Sequence, residues 1–286
     1  MKNFVVFCKT YSGDLDRVSL MIASFNKYNI DKLPLILSVP ERELEMFKHF
    51  ESKTIQIVTD ESYAGKYFTQ ECLSGLPVGY CNQEICKLAF WESKIAKNYL
   101  CLDSDSLFIR DFHESDFMAD HDTPYMVLVM DKDLAIEKHY HDYWLGRQEF
   151  IKKIYHAVDL NDSRYRTCHN AQVLNSVVLE SLKRDFMQKH KYNYADLIAI
   201  APFEFTWYNA WFQKCGLIRE IAVEPFFKMF HMRVEYTMSR LRGLTLDDYA
   251  YSYVGIVLNG NWDKPESTYK KRPYWMKKLY KFLKRR

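Results

Sequence analysis

Apolar positions fall into two alternating rhythms over the first hundred residues. Residues 3–9 carry the uninterrupted run Phe4, Val5, Val6, Phe7 and Cys8 before Lys9, the pattern of a strand buried on both faces. Residues 15–28 instead set Leu15, Val18, Leu20, Ile22 and Phe25 along one side of a helix. The strand rhythm returns at 33–39, Pro40 with Glu41 and Glu43 opens another helix, and 53–58 closes a third strand. Short apolar runs separated by helices imply βαβ units and a parallel sheet.

Beyond residues 65–79, which follow neither rhythm, a helix over 82–97 leads into a central strand at 99–102, and a further strand is expected at 125–130. A helical stretch at 134–158 carries His139, Tyr140, His141 and Tyr143 and reads as a lid or an acceptor-facing insertion. Helices follow at 171–189 and 207–215, with one or two strands at 220–232. No linker interrupts the chain before Asn259. The expected architecture is therefore a single Rossmann-like α/β domain over residues 1–258, with a mostly parallel central sheet flanked by helices, and a tail over 259–286.

The chain of 286 residues, 48% hydrophobic and 27% charged, is of ordinary globular composition and long enough to bury a sizeable core. Its 16% aromatic content serves either that core or a pocket for flat faces such as sugars and bases. The apolar run at 4–8 is too short for a signal-peptide core of about 7–15 residues, and none approaches the roughly 20 needed to span a bilayer. Seven cysteines, an odd number without a C-x-x-C pair, suggest a reduced, cytoplasmic protein.

Charge changes the picture at one end. Residues 269–286, YKKRPYWMKKLYKFLKRR, hold nine Lys or Arg and no acid, so against a net charge of +3 the preceding chain carries −6. Trp275, Met276, Leu279, Phe282 and Leu283 recur there at helical spacing among Lys277, Lys278, Lys281 and Lys284. That is a basic amphipathic helix suited to an anionic membrane surface, which would hold the protein peripherally at the inner face of the cytoplasmic membrane. The alternative is a solvated helix docked on its own domain. Nucleic acid is not expected as a partner, because the acidic body would repel phosphates.

Candidate chemistry centres on NYLCLDSDSLFIRDF, where Asp103 and Asp105 interrupt an apolar strand. Twenty aspartates in this length give about 1.4 D-x-D pairs by chance, and there are four. Asp14 with Asp16 opens a helix and Asp120 with Asp122 sits in a polar loop, whereas Asp131 with Asp133 follows a strand and is a rival. Asp103 and Asp105 are better placed, because Leu107, Phe108 and Ile109 are expected to continue the strand and would leave the carboxylates at a kink inside the core sheet. In an extended segment both point to one side while Ser104 faces away. Such a pair at the carboxyl end of a sheet strand suits Mg²⁺ or Mn²⁺ held with substrate phosphates.

LCLDSDSLFIRDF resembles the D-x-D strand of nucleotide-sugar-dependent glycosyltransferases with the GT-A fold. VFCKTYSGDLDRVSLMIASFNKY, SVPERELEMF, IVTDESY, GYCNQEICKLAFWE and APFEFTWYNAWF are similar to blocks of a poorly characterised bacterial family of polysaccharide glycosyltransferases. They cover residues 3–110 and 201–212 in that family's order. The resemblance implies a single GT-A-like domain, with Asp105 as metal-binding carboxylate and Asp103 as the contact to ribose or to a metal-bound water. It also implies a nucleotide-facing role for Thr10, Asp14 and Arg17, although Asp14 suits a helix cap equally well. Gln83 and Lys87 would share a helix face, with Lys87 either holding a donor phosphate or sitting exposed on the surface.

Glu204 lies among Pro202, Phe203, Phe205 and Trp207, which would desolvate it and raise its pKa toward that of a general base for an acceptor hydroxyl. The family pattern also has an acid there; the alternative is a helix N-terminal carboxylate. His231, after the apolar FFKMF, is either a third metal ligand or structural, and His169 with Asn170 forms another polar pair with no assigned role beyond a donor-sugar contact. The implied partners are a nucleotide-diphosphate sugar, UDP-sugar favoured, and a glycan or lipid-linked glycan acceptor. Two other classes compete. A sugar nucleotidyltransferase would need a Gly- and basic-rich phosphate loop that KTYSGD does not provide, and a non-enzymatic membrane adaptor would leave the aspartates merely solvated. The absence of G-x-G-x-x-G argues against a dinucleotide-dependent dehydrogenase.

Overall fold

The computed structural model describes residues 1–130, 141–161 and 171–260, without the side chains of 142 and 143. Its strands are β1 (Lys2–Lys9), β2 (Leu35–Val39), β3 (Ile55–Thr59), β4 (Ala96–Asp103), β5 (Ser106–Phe108), β6 (Met126–Val127), β7 (Gln172–Asn175), β8 (Ala222–Val223), β9 (Phe227–Phe230) and β10 (Gly255–Leu258). The central sheet runs β3-β2-β1-β4-β7. All its pairings are parallel except that of the edge strand β7 with β4. The expected α/β architecture, a mostly parallel sheet flanked by helices, is what the chain adopts.

Each central strand divides its side chains between two cores. Along β1, Val5 and Phe7 enter one and Phe4, Val6 and Cys8 the other; along β4, Tyr99 and Cys101 join the first, Leu100 and Leu102 the second. Burial on both faces is why these strands read as unbroken apolar runs. The aromatic surplus is spent largely here: the Phe7 ring stacks on Phe90 at 4.1 Å, Tyr99 meets Phe90 edge-on at 4.9 Å, and Trp207, Tyr194 and Tyr208 are fully buried. Core packing thus accounts for most of the aromatic content.

Helix boundaries follow local chemistry. The first helix, Leu15–Tyr28, buries Val18, Met21, Ile22 and Phe25, an i, i+3, i+4, i+7 stripe; Leu20 is 61% exposed and Met21 takes the place assigned to it from sequence. The helix expected over 82–97 begins earlier, at Val78 after Pro77, and ends at Ala89. A 3₁₀ turn, Phe90–Ser93, follows, and Lys94 at φ 58° turns the chain into β4. Residues 172–175, expected within a helix, instead form β7, and the Asn175 side chain then accepts from the Val177 and Val178 amides to start the helix.

The lid expected at 134–158 is only partly within the described residues. Its helix, His141–Ala157, buries Ile151, Ile154 and Tyr155 in the first core, and Phe150 packs edge-on against Phe203. Its second half thus packs against the domain core. The strand expected at 125–130 shortens to β6, which pairs with β8 outside the central sheet. The tail at 269–286, the rival pair Asp131 and Asp133, and His139, Tyr140, His169 and Asn170 lie outside the described residues. Among the described residues no helix is long and apolar enough to cross a membrane.

One departure bears on the site. β5 does not continue β4 inside the core sheet; it pairs antiparallel with β10, which runs parallel to β9, in a second small sheet ordered β5-β10-β9. Asp103 ends one sheet and Asp105 precedes the other. The carboxylates occupy a crossing point between sheets rather than a kink within one.

Candidate active site

The carboxyl edge of the central sheet is set by the register Lys9↔Asp103 between β1 and β4. Immediately beyond, Ser104 and Asp105 form a turn, so the extended geometry expected to align the two carboxylates is absent. Each finds its own partners. Asp103 pairs with Lys87 Nζ at 2.9 Å, while Asp105 Oδ2 accepts the Gly260 amide at 2.7 Å. Ser104 is buried between them and donates its hydroxyl to Asp14 Oδ2 at 3.0 Å.

Lys87 is neither surface lysine nor free phosphate ligand. Its ammonium is buried, 2.8 Å from Glu204, 2.9 Å from Asp103 and 3.8 Å from Glu84. Burial alone would lower its pKa, but Asp103, Glu204 and Glu84 together hold it well above the ordinary value. Glu204 is buried at the first position of its helix, Glu204–Cys215. Contrary to the expectation of a raised pKa, its carboxyl is lowered: burial raises it, but Lys87 and a hydrogen bond with Glu84 outweigh that.

Glu84 supplies the balancing proton. Burial, then the Glu204 charge, pushes its carboxyl far above the usual range, so it is the neutral member and Glu204 the charged one. Sequence reading selected Gln83, one position away, which is half-buried and enters none of these ion pairs. The signal was present in the i, i+3 spacing of Glu84 and Lys87 in NQEICK.

Asp105 has a different environment. Its Oδ1 is buried without a hydrogen-bond partner. Burial first, and the Asp103 charge second, push its carboxyl up to about 7, only partly countered by the Gly260 amide. Arg17 supplies some compensating charge, but a buried carboxylate oxygen left without a partner among the neighbouring charges of Asp103 and Asp14 is a hard ligand that fits Mg²⁺ or Mn²⁺. Asp105 also borders a half-open recess of about 160 Å³ with Arg17, Leu20, Ser104, Leu107, Leu258 and Asn259.

The shell of Asp103, Asp105 and His231 expected from sequence is not assembled: among the described residues no three His, Cys, Asp or Glu side chains converge as a metal site. Lys87 draws Asp103 one way and the Gly260 amide holds Asp105 another. His231 follows β9 at the same end of the small sheet, where its carbonyl accepts from Asn259 Nδ2 at 3.4 Å.

Asp14 and Arg17 do join the site. The Asp14 side chain caps no helix amide; it takes Arg17 Nη1 at 2.6 Å as well as the Ser104 hydroxyl. Thr10, one residue past the Lys9↔Asp103 pair, is buried with its hydroxyl unpartnered. Beside it lies a network that sequence reading did not identify: Lys9 pairs with Asp60 at 2.9 Å, and Ser38 donates to Asp60 at 2.6 Å. Burial raises the Asp60 carboxyl despite Lys9. A charged residue at the carboxyl end of each of two strands, Lys9 as the last residue of β1 and Asp60 just after β3, was the available signal.

Among curated proteins none matches the chain. Among solved structures, the apo form of mouse xyloside xylosyltransferase 1 is similar at TM-score 0.48 and 11% identity, over 92% of this chain and 99% of that one. A family profile matches residues 5–229, which takes in most of β1, every strand from β2 to β8 and the whole Lys87 cluster. The chain therefore belongs to DUF6492, a family of unknown function.

Proposed function

We propose that the protein is a metal-dependent glycosyltransferase. It moves a sugar, a hexose favoured, from a nucleotide-diphosphate donor, UDP-sugar favoured, to a hydroxyl of a lipid-linked bacterial surface glycan of lipopolysaccharide, O-antigen or capsule type. The observation that supports it most is the buried, unpartnered Asp105 Oδ1 at the carboxyl edge of the sheet, where open α/β folds take ligands. Asp105 would hold Mg²⁺ or Mn²⁺, with Asp103, kept back by Lys87, reaching the ribose or a metal-bound water; the ion would supply charge compensation for the leaving diphosphate.

The chain's own groups divide the remaining work. Arg17 borders the Asp105 recess and suits a phosphate oxygen; the Thr10 hydroxyl suits a polar atom of the nucleotide. Lys87 fixes Asp103. In the transfer, the acceptor oxygen bonds to the anomeric carbon as the bond to the diphosphate oxygen breaks with its electron pair, and the acceptor proton leaves to a carboxylate or to water. Glu204 has the ionised state a base requires, but its lowered pKa and its pairing with Lys87 favour a positioning role.

A screen of nucleotide sugars for metal-dependent hydrolysis tests this reading, with Asp105→Ala and Glu204→Gln alongside. Loss of about a hundredfold in the first is expected. A kcat loss of similar size in Glu204→Gln, with the Mn²⁺ response intact, would restore Glu204 as base. Pyrophosphate release from UTP and a sugar 1-phosphate would make it a nucleotidyltransferase, and no response to any nucleotide or metal would leave an adaptor.

A further inference from the structure

We infer that Gly260 is a positioning residue for Asp105: its backbone grips the carboxylate and the Arg17 guanidinium together, so that Asp105 Oδ1 is presented to a divalent cation. The inference rests on the metal-dependent reading above. It starts from a closed circuit of bonds. Gly260 N–H donates to Asp105 Oδ2 at 2.7 Å, and Gly260 C=O accepts from Arg17 Nη2 at 2.9 Å. Arg17 Nη1 reaches Asp14 Oδ1 at 2.6 Å, and Asp14 Oδ2 accepts from Ser104, the neighbour of Asp105 in the chain. The ring closes on itself.

Three features make this more than a loop contact. The Asp105 backbone is already fixed, because its carbonyl accepts Leu258 N at 3.0 Å as β10 leaves the small sheet. With backbone and Oδ2 both held, the remaining freedom of the carboxylate is small, and Oδ1 stays buried and unpaired. The N–H···O⁻ bond is short and charge-assisted, the stronger kind. Finally, the position is tight: a Cβ on residue 260 would lie 3.2 and 3.3 Å from the Arg17 guanidinium and 3.5 Å from Asp105 Oδ2, so the guanidinium would have to give way slightly.

Supporting partners of a metal ligand typically contribute 10- to 100-fold to metal affinity. Gly260→Pro deletes the donated N–H, and Gly260→Ala keeps it while crowding the Arg17 guanidinium slightly. The test is Mn²⁺ titration of the full chain, with and without UDP, alongside thermal melts of each variant. Wild type should bind one Mn²⁺, Asp105→Asn should not, Gly260→Pro should bind about 10- to 100-fold more weakly, and Gly260→Ala should fall between. If Gly260→Pro melts well below wild type, Gly260→Ala alone decides. Wild-type affinity in both Gly260 variants, with binding lost in Asp105→Asn, would overturn the clamp and leave the metal reading standing. No Mn²⁺ binding by wild type would remove that reading and the clamp with it.

Discussion

Replacing Lys87 by Met removes the positive charge on which Glu204 and Asp103 converge at 2.8 and 2.9 Å. The Glu204 side chain is 8% exposed and cannot turn to water, whereas that of Asp103 is 31% exposed and can. Breaking a buried pair from one side costs about 3–5 kcal/mol, and the escape open to Asp103 puts this case near the lower end, about 3 kcal/mol. At about 2–4 °C per kcal/mol, the melting temperature should fall by about 6–12 °C. Lys87 is held above its ordinary 10.5, so its own charge is complete below that value; with it gone, burial raises the Glu204 carboxyl, and the loss should grow as pH rises above the ordinary 4.5 of that group. Adding Glu204→Gln leaves Glu84 a neutral hydrogen-bonding partner and should restore about 1–3 kcal/mol in a double-mutant cycle. Urea denaturation of the four proteins measures this. A Lys87→Met penalty under about 1 kcal/mol, or strictly additive single effects, would refute the buried-cluster argument.

The same logic gives the opposite sign at Asp105. A carboxyl raised to about 7 costs no stability below its ordinary 3.8, costs more as pH rises between the two values, and costs fully above. Asp105→Asn should thus melt above wild type at about pH 8, by an upper bound on the order of 4 kcal/mol, and equal it near pH 4; a difference independent of pH would argue against the reasoning. Thr10→Val should leave the melting temperature within about 1 kcal/mol of wild type, because the hydroxyl has no partner to lose, while weakening UDP binding; unchanged UDP affinity would take Thr10 out of the nucleotide site. Deleting residues 269–286 should release the protein from liposomes containing anionic lipid, and retained binding would count against a membrane role for the tail.

Much of the fold was legible because its signals are local. The first helix has the bounds read from sequence, and both-face burial of β1 and β4 appears directly in their apolar runs. β7 was hidden because four residues of AQVLN fit a helix as well as a strand; only pairing with β4 decides. The site divides in the same way. Asp103, Asp105, Asp14, Arg17, Lys87 and Glu204 were each selected, but how they pair was not, since sequence spacing carries no information on contacts across 117 residues, as for Lys87 and Glu204, or 155, as for Asp105 and Gly260. The pKa of Glu204 went the other way for that reason: its aromatic neighbours in sequence argued for a raised value, and an ammonium from a distant helix lowered it.

The account turns on a cation seated at Asp105, and an equilibrium titration of Mn²⁺ in the presence of UDP, followed by the signal of free Mn²⁺, addresses it directly. One tightly bound ion per chain in wild type, absent in Asp105→Ala, is the predicted result. Equal binding in both proteins, or none in either, would contradict it.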